Sequence, residues 1–280
     1  MTDNVKNMHL AFMGCGVMGE SMVAGLLRQG LVDPKNISAS HPRDSRRAEL
    51  AEKYGVGVFE SNAEAAKSVA GRENSAVLIC VKPQRLPRVL ADLDGILHLD
   101  QLVLSIVAGT TIATLAGSLG TAKIVRAMPN TPSQIGAGIT AWTCTEAVIE
   151  NERRHVREIL AALGKELFVE TENMIDMATS LSATGPTYVF MVMEALTDAG
   201  VHLGFSRDMA KELVQETMLG SVKFAIATHK HPAELRNMVT SPGGTSAEAI
   251  YQMEKGSLRT VLSKAVYSAY KRAVDLGKKG

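Results

Sequence analysis

Two short stretches, Ala76-Val77-Leu78-Ile79-Cys80-Val81 and Gln101-Leu102-Val103-Leu104-Ser105-Ile106-Val107, are apolar at almost every position. A strand with one wet face alternates apolar and polar residues, so a run without alternation belongs to a strand covered on both faces. Helices above and below a parallel sheet are the usual cover, joined to it by right-handed crossovers. The rest of the first half has the same rhythm. His9 to Met13 and Ile37 to Ser40 read as strands, with helices expected up to about Gln29 and from Arg46 to Tyr54. Further strands are expected at Lys123 to Arg126, Ile139 to Trp142 and Glu166 to Val169. After Glu170 the pattern changes. Met174 to Leu181, Tyr188 to Gly200, Arg207 to Ala227 and Ser257 to Leu276 read as helices, with no strand-like run between them. In the third of these, Leu213, Val214, Met218, Leu219 and Val222 recur at helical spacing. The expected class is α/β: a doubly wound parallel sheet over residues 1–171, then an all-helical region over residues 172–280.

Between the first strand and its helix lies Gly14-Cys15-Gly16-Val17-Met18-Gly19, a G-x-G-x-x-G string in the context that makes it meaningful. The first glycine permits the tight turn and the second lets a pyrophosphate approach the backbone. The third lets helix and strand pack closely, while the helix N-terminus attracts the anion. This is the signature of a Rossmann-type dinucleotide domain. Enzymes that use NAD usually carry an acid after the second strand for the ribose 2′-hydroxyl. Here that strand ends in Ser40-His41-Pro42-Arg43, with Arg46 and Arg47 close behind, so NADPH is favoured, with NADH admissible. The expected cofactor-binding set is Gly14, Cys15, Gly16, Val17, Met18, Gly19, Ser40, His41, Arg43, Asn62, Val81, Lys82, Pro83, Ala108 and Gly109. Lys82 has two readings: a strand-end group that positions cofactor or an active-site water, or a solvated charge.

The formal net charge of +1 excludes an electrostatic nucleic-acid binder, which carries a basic stripe. Lys278 and Lys279 suit an ordinary solvated end. Cys15, Cys80 and Cys144 are too far apart for a C-x-x-C or zinc pattern, which suits a reducing compartment. Cys15 reads as a small side chain that fits the turn, with a reactive thiol as the alternative. The His229/His231 pair lacks a third ligand, so no metal is expected. Met1 to Met8 is polar without the apolar run of a signal peptide, and no stretch has the ~20 apolar residues of a membrane span. A cytoplasmic protein acting on a small molecule is expected.

Six further segments specify the chemistry. They are Val81-Lys82-Pro83-Gln84, Val107-Ala108-Gly109, Arg126-Ala127-Met128-Pro129-Asn130-Thr131-Pro132, Ser182-Ala183-Thr184-Gly185-Pro186-Thr187-Tyr188, Glu194-Ala195-Leu196-Thr197-Asp198-Ala199-Gly200 and Leu235 to Ser246. Together they resemble the pyrroline-5-carboxylate reductases over about His9 to Leu276, most specifically in Thr240-Ser241-Pro242-Gly243-Gly244-Thr245. The resemblance implies reduction of L-1-pyrroline-5-carboxylate to L-proline by NAD(P)H, the last step of proline synthesis. It also implies a helical C-terminal dimerisation domain, and a homodimer that often assembles into a decamer. A relative acting on another imine or a β-hydroxy acid, and a nucleotide sensor without catalysis, are the alternatives.

Beside that resemblance, Ser241 to Ser246 reads as a glycine loop feeding a helix through Glu254. Its backbone N–H groups suit a substrate carboxylate. Ser241, Gly243, Gly244, Thr245 and Ser246 are the expected substrate-binding residues, and Ser246, Thr245 and Lys82 the expected catalytic ones. The same hydroxyls suit a plain helix cap. The chain departs from the family pattern at Ser246, commonly a threonine, at Ser182-Ala183-Thr184, commonly S-G-S, and at Thr228 to His231, where an acid often stands.

Overall fold

The computed structural model describes residues 5–277, so the chain before Val5 and the Lys278-Lys279 end lie outside it. In chain order come β1 (His9–Met13), α1 (Val17–Arg28), β2 (Ile37–Ser40), α2 (Asp44–Tyr54), β3 (Gly57–Phe59) and α3 (Asn62–Lys67). Next are β4 (Ser75–Ile79), α4 (Leu86–Leu93), β5 (Leu102–Ser105), α5 (Ile112–Leu119) and β6 (Ile124–Met128). Then follow β7 (Gly138–Cys144), α6 (Glu150–Ala161) and β8 (Gly164–Phe168). The remainder is helical: α7 (Asn173–Ala178), α8 (Gly185–His202), α9 (Arg207–Thr228), α10 (Pro232–Met238), α11 (Thr245–Lys255) and α12 (Leu258–Gly277).

The strands form one sheet in the order β3-β2-β1-β4-β5-β6-β7-β8. Two hydrophobic clusters cover its two faces. Leu10, Phe12, Leu78 and Leu104 enter the one that contains Met22 and Leu26 of α1 and Ile159 and Leu160 of α6. Their neighbours Ala11, Met13, Ile79 and Val103 enter the other, with Val89 and Leu93 of α4 and Leu115 and Leu119 of α5. Adjacent residues of one strand are thus both buried, which is why β4 and β5 show no polar alternation. Each fully buried side chain of this size contributes about 1.5–3 kcal/mol.

Two features depart from a uniformly parallel sheet of the expected strands. β3 begins with a glycine and is only three residues long, so it carries almost no periodic signal, yet it pairs in parallel with β2. β7 runs antiparallel to β6, and β8 runs parallel to β7. The cause is the connection. Residues 129–137 hold a short 3-10 turn, Thr131–Ile135, and Gly136 at φ +74°, but no crossover helix. Parallel pairing needs a longer crossover, so the chain returns antiparallel; α6 then supplies a crossover and β8 is parallel to its neighbour.

Arg126 of β6 is 2% exposed and bonds Glu172 Oε1 at 2.9 Å and Asp176 Oδ1 at 2.7 Å. Glu172 Oε1 also accepts the Ile112 N–H at 2.7 Å. The guanidinium therefore ties β6 to α7 and to the start of α5, and removing both carboxylates would leave an uncompensated buried charge, a loss of about 3–5 kcal/mol. α7 continues into a π-helical turn, Thr179–Ala183.

The chain divides into two compact units, residues 1–184 with 269–280, and residues 185–268. In the second, α8 and α9 form a helical hairpin. A Cβ on Gly200 would lie 2.9 Å from Ala210 Cβ, so the glycine lets the helices approach closely. Ser206 caps α9 by accepting the Met209 N–H. Ala210 is the one buried residue in α8 to α11. Phe190, Met191, Leu213, Leu219, Val222 and Ile226 are exposed, and these helices therefore have no core of their own. No described helix is long and apolar enough to cross a membrane.

Candidate active site

In a sheet of this order, β1 lies between β2 and β4, and the chain leaves it toward opposite sides. Ligands bind in the crevice that opens at the carboxyl ends of such strands. The Gly14 to Gly19 turn lies there, at the end of β1. Gly14 N–H donates to Ser40 Oγ at 3.0 Å, Cys15 N–H to the Ser40 carbonyl at 2.9 Å, and Gly16 N–H to the Gly14 carbonyl at 2.7 Å. The amides left without an intrahelical partner are those of the first turn of α1, beginning with Val17 and Met18. Gly16 is the N-cap and offers no side chain to satisfy them.

The three glycines have three different reasons. Gly14 sits at φ +76°, and a Cβ there would lie 2.2 Å from Val81 Cγ1. Gly19 needs close packing, with a Cβ falling 3.2 Å from Cys80 Cβ. Gly16 is extended, φ −80° and ψ −159°, and its Cβ would meet nothing closer than 3.9 Å. Neither strain nor protein contact demands glycine at that position, which leaves room for a phosphate against the bare amides.

A cleft of about 750 Å³ opens beside the turn, lined by Gly14, Gly16, His41, Asn62, Val81 and Lys82 among others. Of the expected set, Lys82 is exposed in the cleft, Pro83 starts the one-turn helix that follows it, and Val81 packs over Gly14. Ser40 is fully buried and serves from behind, holding the turn through its hydroxyl. Cys15 is fully buried too, and burial pushes its thiol up to about 12, against the reactive-thiol alternative. Gly109 sits at φ +72°, where a Cβ would lie 2.6 Å from Leu276 Cβ, so the end of α12 accounts for that glycine. Ala108 packs in a small cluster with Met128, Ala141, Val169 and Ile175.

The arginines that follow β2 are not equivalent. Arg46 bonds Glu20 and Glu49, and Arg47 bonds Asp44 and the His41 carbonyl. Burial alone would raise the Glu20 carboxyl, but hydrogen bonds from Arg46, Lys53 and Tyr54 outweigh it and hold the group at about 2. Arg43, the N-cap of α2, is exposed and has no ion pair among the described residues. It directly follows His41 and Pro42, which line the cleft. Burial, then Arg43, keeps His41 below the ordinary histidine value. Arg85, Arg88 and Asp92 also line the cleft. Sequence reasoning did not find them, because their placement depends on where the one-turn helix Pro83–Arg85 hands over to α4.

In the second unit, Ser241 to Gly244 form a β-turn in which the Ser241 carbonyl accepts the Gly244 N–H at 3.1 Å. Pro242 is second and Gly243, at φ +67°, is third, the residue order of a type II turn. Gly244 is then the N-cap of α11 and makes no side-chain cap bond. Its hydrogen matters, because a Cβ there would lie 2.6 Å from Ser241 Oγ. Thr245 and Ser246 are therefore the first two helical residues and do not cap the helix. Their amides lack intrahelical partners, and their hydroxyls make no hydrogen bond among the described residues. In the first unit, Thr184 Oγ1 donates to the Thr179 carbonyl, while Ser182 Oγ is buried without a partner among the described residues. The described residues contain no cluster of His, Cys, Asp or Glu able to hold a metal.

These features coincide with two family profiles. Residues 172–276 match one described as pyrroline-5-carboxylate reductase dimerisation, and residues 9–109 match one described as NADP oxidoreductase, coenzyme F420-dependent. A pyrroline-5-carboxylate reductase of Synechocystis is 37% identical over 98% of this chain and 100% of its own. That of Escherichia coli is 35% identical over 96% of this chain and 98% of its own. Among solved structures, a pyrroline-5-carboxylate reductase from Coxiella burnetii aligns with TM-score 0.86 and 35% identity, covering 96% of this chain and 98% of its own. One from Plasmodium falciparum with NADP bound aligns with TM-score 0.87 and 30% identity, covering 97% and 99%. Near-complete correspondence at this identity, over both the glycine turn and the Ser241–Ser246 turn, places the chain in the pyrroline-5-carboxylate reductase family.

Proposed function

We propose that the protein reduces L-1-pyrroline-5-carboxylate to L-proline with NADPH, the final step of proline synthesis. The observation that carries this reading is the Ser241–Ser246 turn, with bare amides and free hydroxyls, inside the segment that matches the family's dimerisation profile. When bound, NADPH supplies the hydride. The chain's own residues bind and orient. The first amides of α1 hold the pyrophosphate, Arg43 meets the 2′-phosphate, and Ser40 keeps the turn in place. Lys82 and Pro83 shape the edge of the cleft. Amides of Thr245 and Ser246, reached across Gly243 and Gly244, hold the substrate carboxylate, and the two hydroxyls orient the ring nitrogen. The nitrogen's proton arrives with the protonated imine or from water, so no buried acid is required.

On the same reading residues 1–171 carry the cofactor, and residues 172–280 carry the substrate turn and self-association. The exposed apolar residues of α8 and α9 support a homodimer, which on this reading assembles further into a decamer and works in the cytoplasm. Purified protein mixed with NADPH and pyrroline-5-carboxylate should consume the reduced nicotinamide. Folded protein that binds NADPH but consumes none refutes the reading. Ser246→Ala should lower turnover or substrate affinity roughly tenfold, the worth of one good hydrogen bond, with NADPH binding unchanged; equal activity removes Ser246 from the site.

A further inference from the structure

Behind the glycine turn runs a chain of hydrogen bonds that begins on α4. Asn62 Nδ2 donates to Asp92 Oδ2 at 2.8 Å. Asn62 Oδ1 lies 2.5 Å from Ser40 Oγ, and Ser40 Oγ accepts the Gly14 N–H at 3.0 Å. The direction of every link follows from the first. A carboxylate only accepts, so the Asn62 amide must turn its NH2 toward Asp92 and its oxygen toward Ser40. An amide oxygen also only accepts, so the Ser40 hydroxyl donates to it in preference to the Phe12 carbonyl, 3.3 Å away. The lone pairs of Ser40 then face Gly14. One Nδ2 hydrogen remains, and it is the single side-chain donor that Asn62 can offer the cleft it lines.

We propose that Asp92 is a positioning residue for the phosphate-binding turn, acting through Asn62 and Ser40. Without it the Asn62 amide is free to flip, and its NH2 then competes with Gly14 for the Ser40 oxygen. The Gly14 amide then loses its side-chain acceptor. The proposal rests on the reading that NADPH occupies this turn.

The test measures NADPH dissociation constants by nicotinamide fluorescence, with kcat and KM alongside, for the parent, Asp92→Ala, Asp92→Asn, Ser40→Ala and the Asp92→Ala/Ser40→Ala double variant. Asp92→Ala should weaken NADPH about tenfold, or about 1.4 kcal/mol, while kcat at saturating NADPH and KM for the imine stay near parent values. Asp92→Asn, which keeps an acceptor, should restore most of the affinity. The double variant should bind no more weakly than the weaker single, because both cut one chain. Amide exchange at Gly14 should quicken in Asp92→Ala and not in Asp92→Asn. Unchanged affinity in Asp92→Ala, additive losses in the double variant, or no rescue by asparagine overturns the proposal. Asp92→Ser replaces the alanine variant if that one does not fold. If the folded parent fails to bind NADPH, the cofactor reading has failed, and the Gly14 exchange comparison still decides whether the chain from Asp92 holds the turn.

Discussion

Replacing Arg43 by alanine should convert a preference for NADPH into near indifference. Three arginines follow β2, but Arg46 is 13% exposed and committed to Glu20 and Glu49, and Arg47 is 16% exposed and held by Asp44 and the His41 carbonyl. Swinging Arg46 to a phosphate would strip Glu20 of its guanidinium partner and leave it only Lys53 and Tyr54. Arg43 is exposed and has no such commitment among the described residues. A hydrogen bond to a charged group is worth about 1.5–3 kcal/mol, and exposure places this one at the lower end. That corresponds to a loss of roughly tenfold in kcat/KM with NADPH, and almost nothing with NADH, which lacks the phosphate. The assay compares kcat/KM for both cofactors at one fixed ionic strength in the parent, Arg43→Ala and Arg47→Ala. Raising the salt should erode the preference in the parent and leave Arg43→Ala unmoved. An unchanged NADPH-to-NADH ratio in Arg43→Ala, or a larger change in Arg47→Ala, refutes the reasoning.

The glycines of the turn should separate stability from binding. Gly14→Ala meets Val81 and a positive φ at once, so it should lower stability by about 2–4 kcal/mol. Gly16→Ala meets nothing within the protein and should leave the unfolding midpoint nearly unmoved while NADPH affinity falls; the reverse pattern would show that the turn has been misread. Glu20 predicts a pH effect. Its folded value of about 2 lies below the ordinary 4.5, so its stabilisation is present in full above pH 4.5 and is lost as pH falls from there toward 2. The linkage amounts to roughly 3 kcal/mol. Glu20→Gln should flatten that part of the profile in urea titrations, and an unaltered profile would exclude Glu20 as its source. Val222→Glu, on the exposed face of α9, should yield a smaller species in light scattering if that face is the dimer contact, and unchanged mass would exclude it.

Much of the cofactor half was legible because its signals are local. β1 and β2 occupy the residues expected of them, since a short apolar run ended by a glycine or polar turn has few other ways to fold. β3 escaped notice because three residues beginning with glycine hold no period. α10 escaped because it is a short helix started by Pro232 among polar residues. The reversal of β7 was invisible in its own sequence, for strand direction is decided by what the preceding connection contains. The cap alternative for Thr245 and Ser246 failed for a similar reason: the Ser241–Gly244 turn ends at least one residue earlier than a cap at either would require.

The sequence by itself determined the alternation of strands and helices, the glycine turn with its uncapped helix, and the missing acid after β2. These depend on neighbours along the chain and on which φ values a residue tolerates. The tertiary structure decided which groups are left to act. Arg46 finds Glu20 twenty-six positions away, and Ser40 reaches Gly14 over the same separation. An ionic or hydrogen-bonding group in a packed protein takes whatever partner the fold brings within reach, and only those left over can meet a ligand.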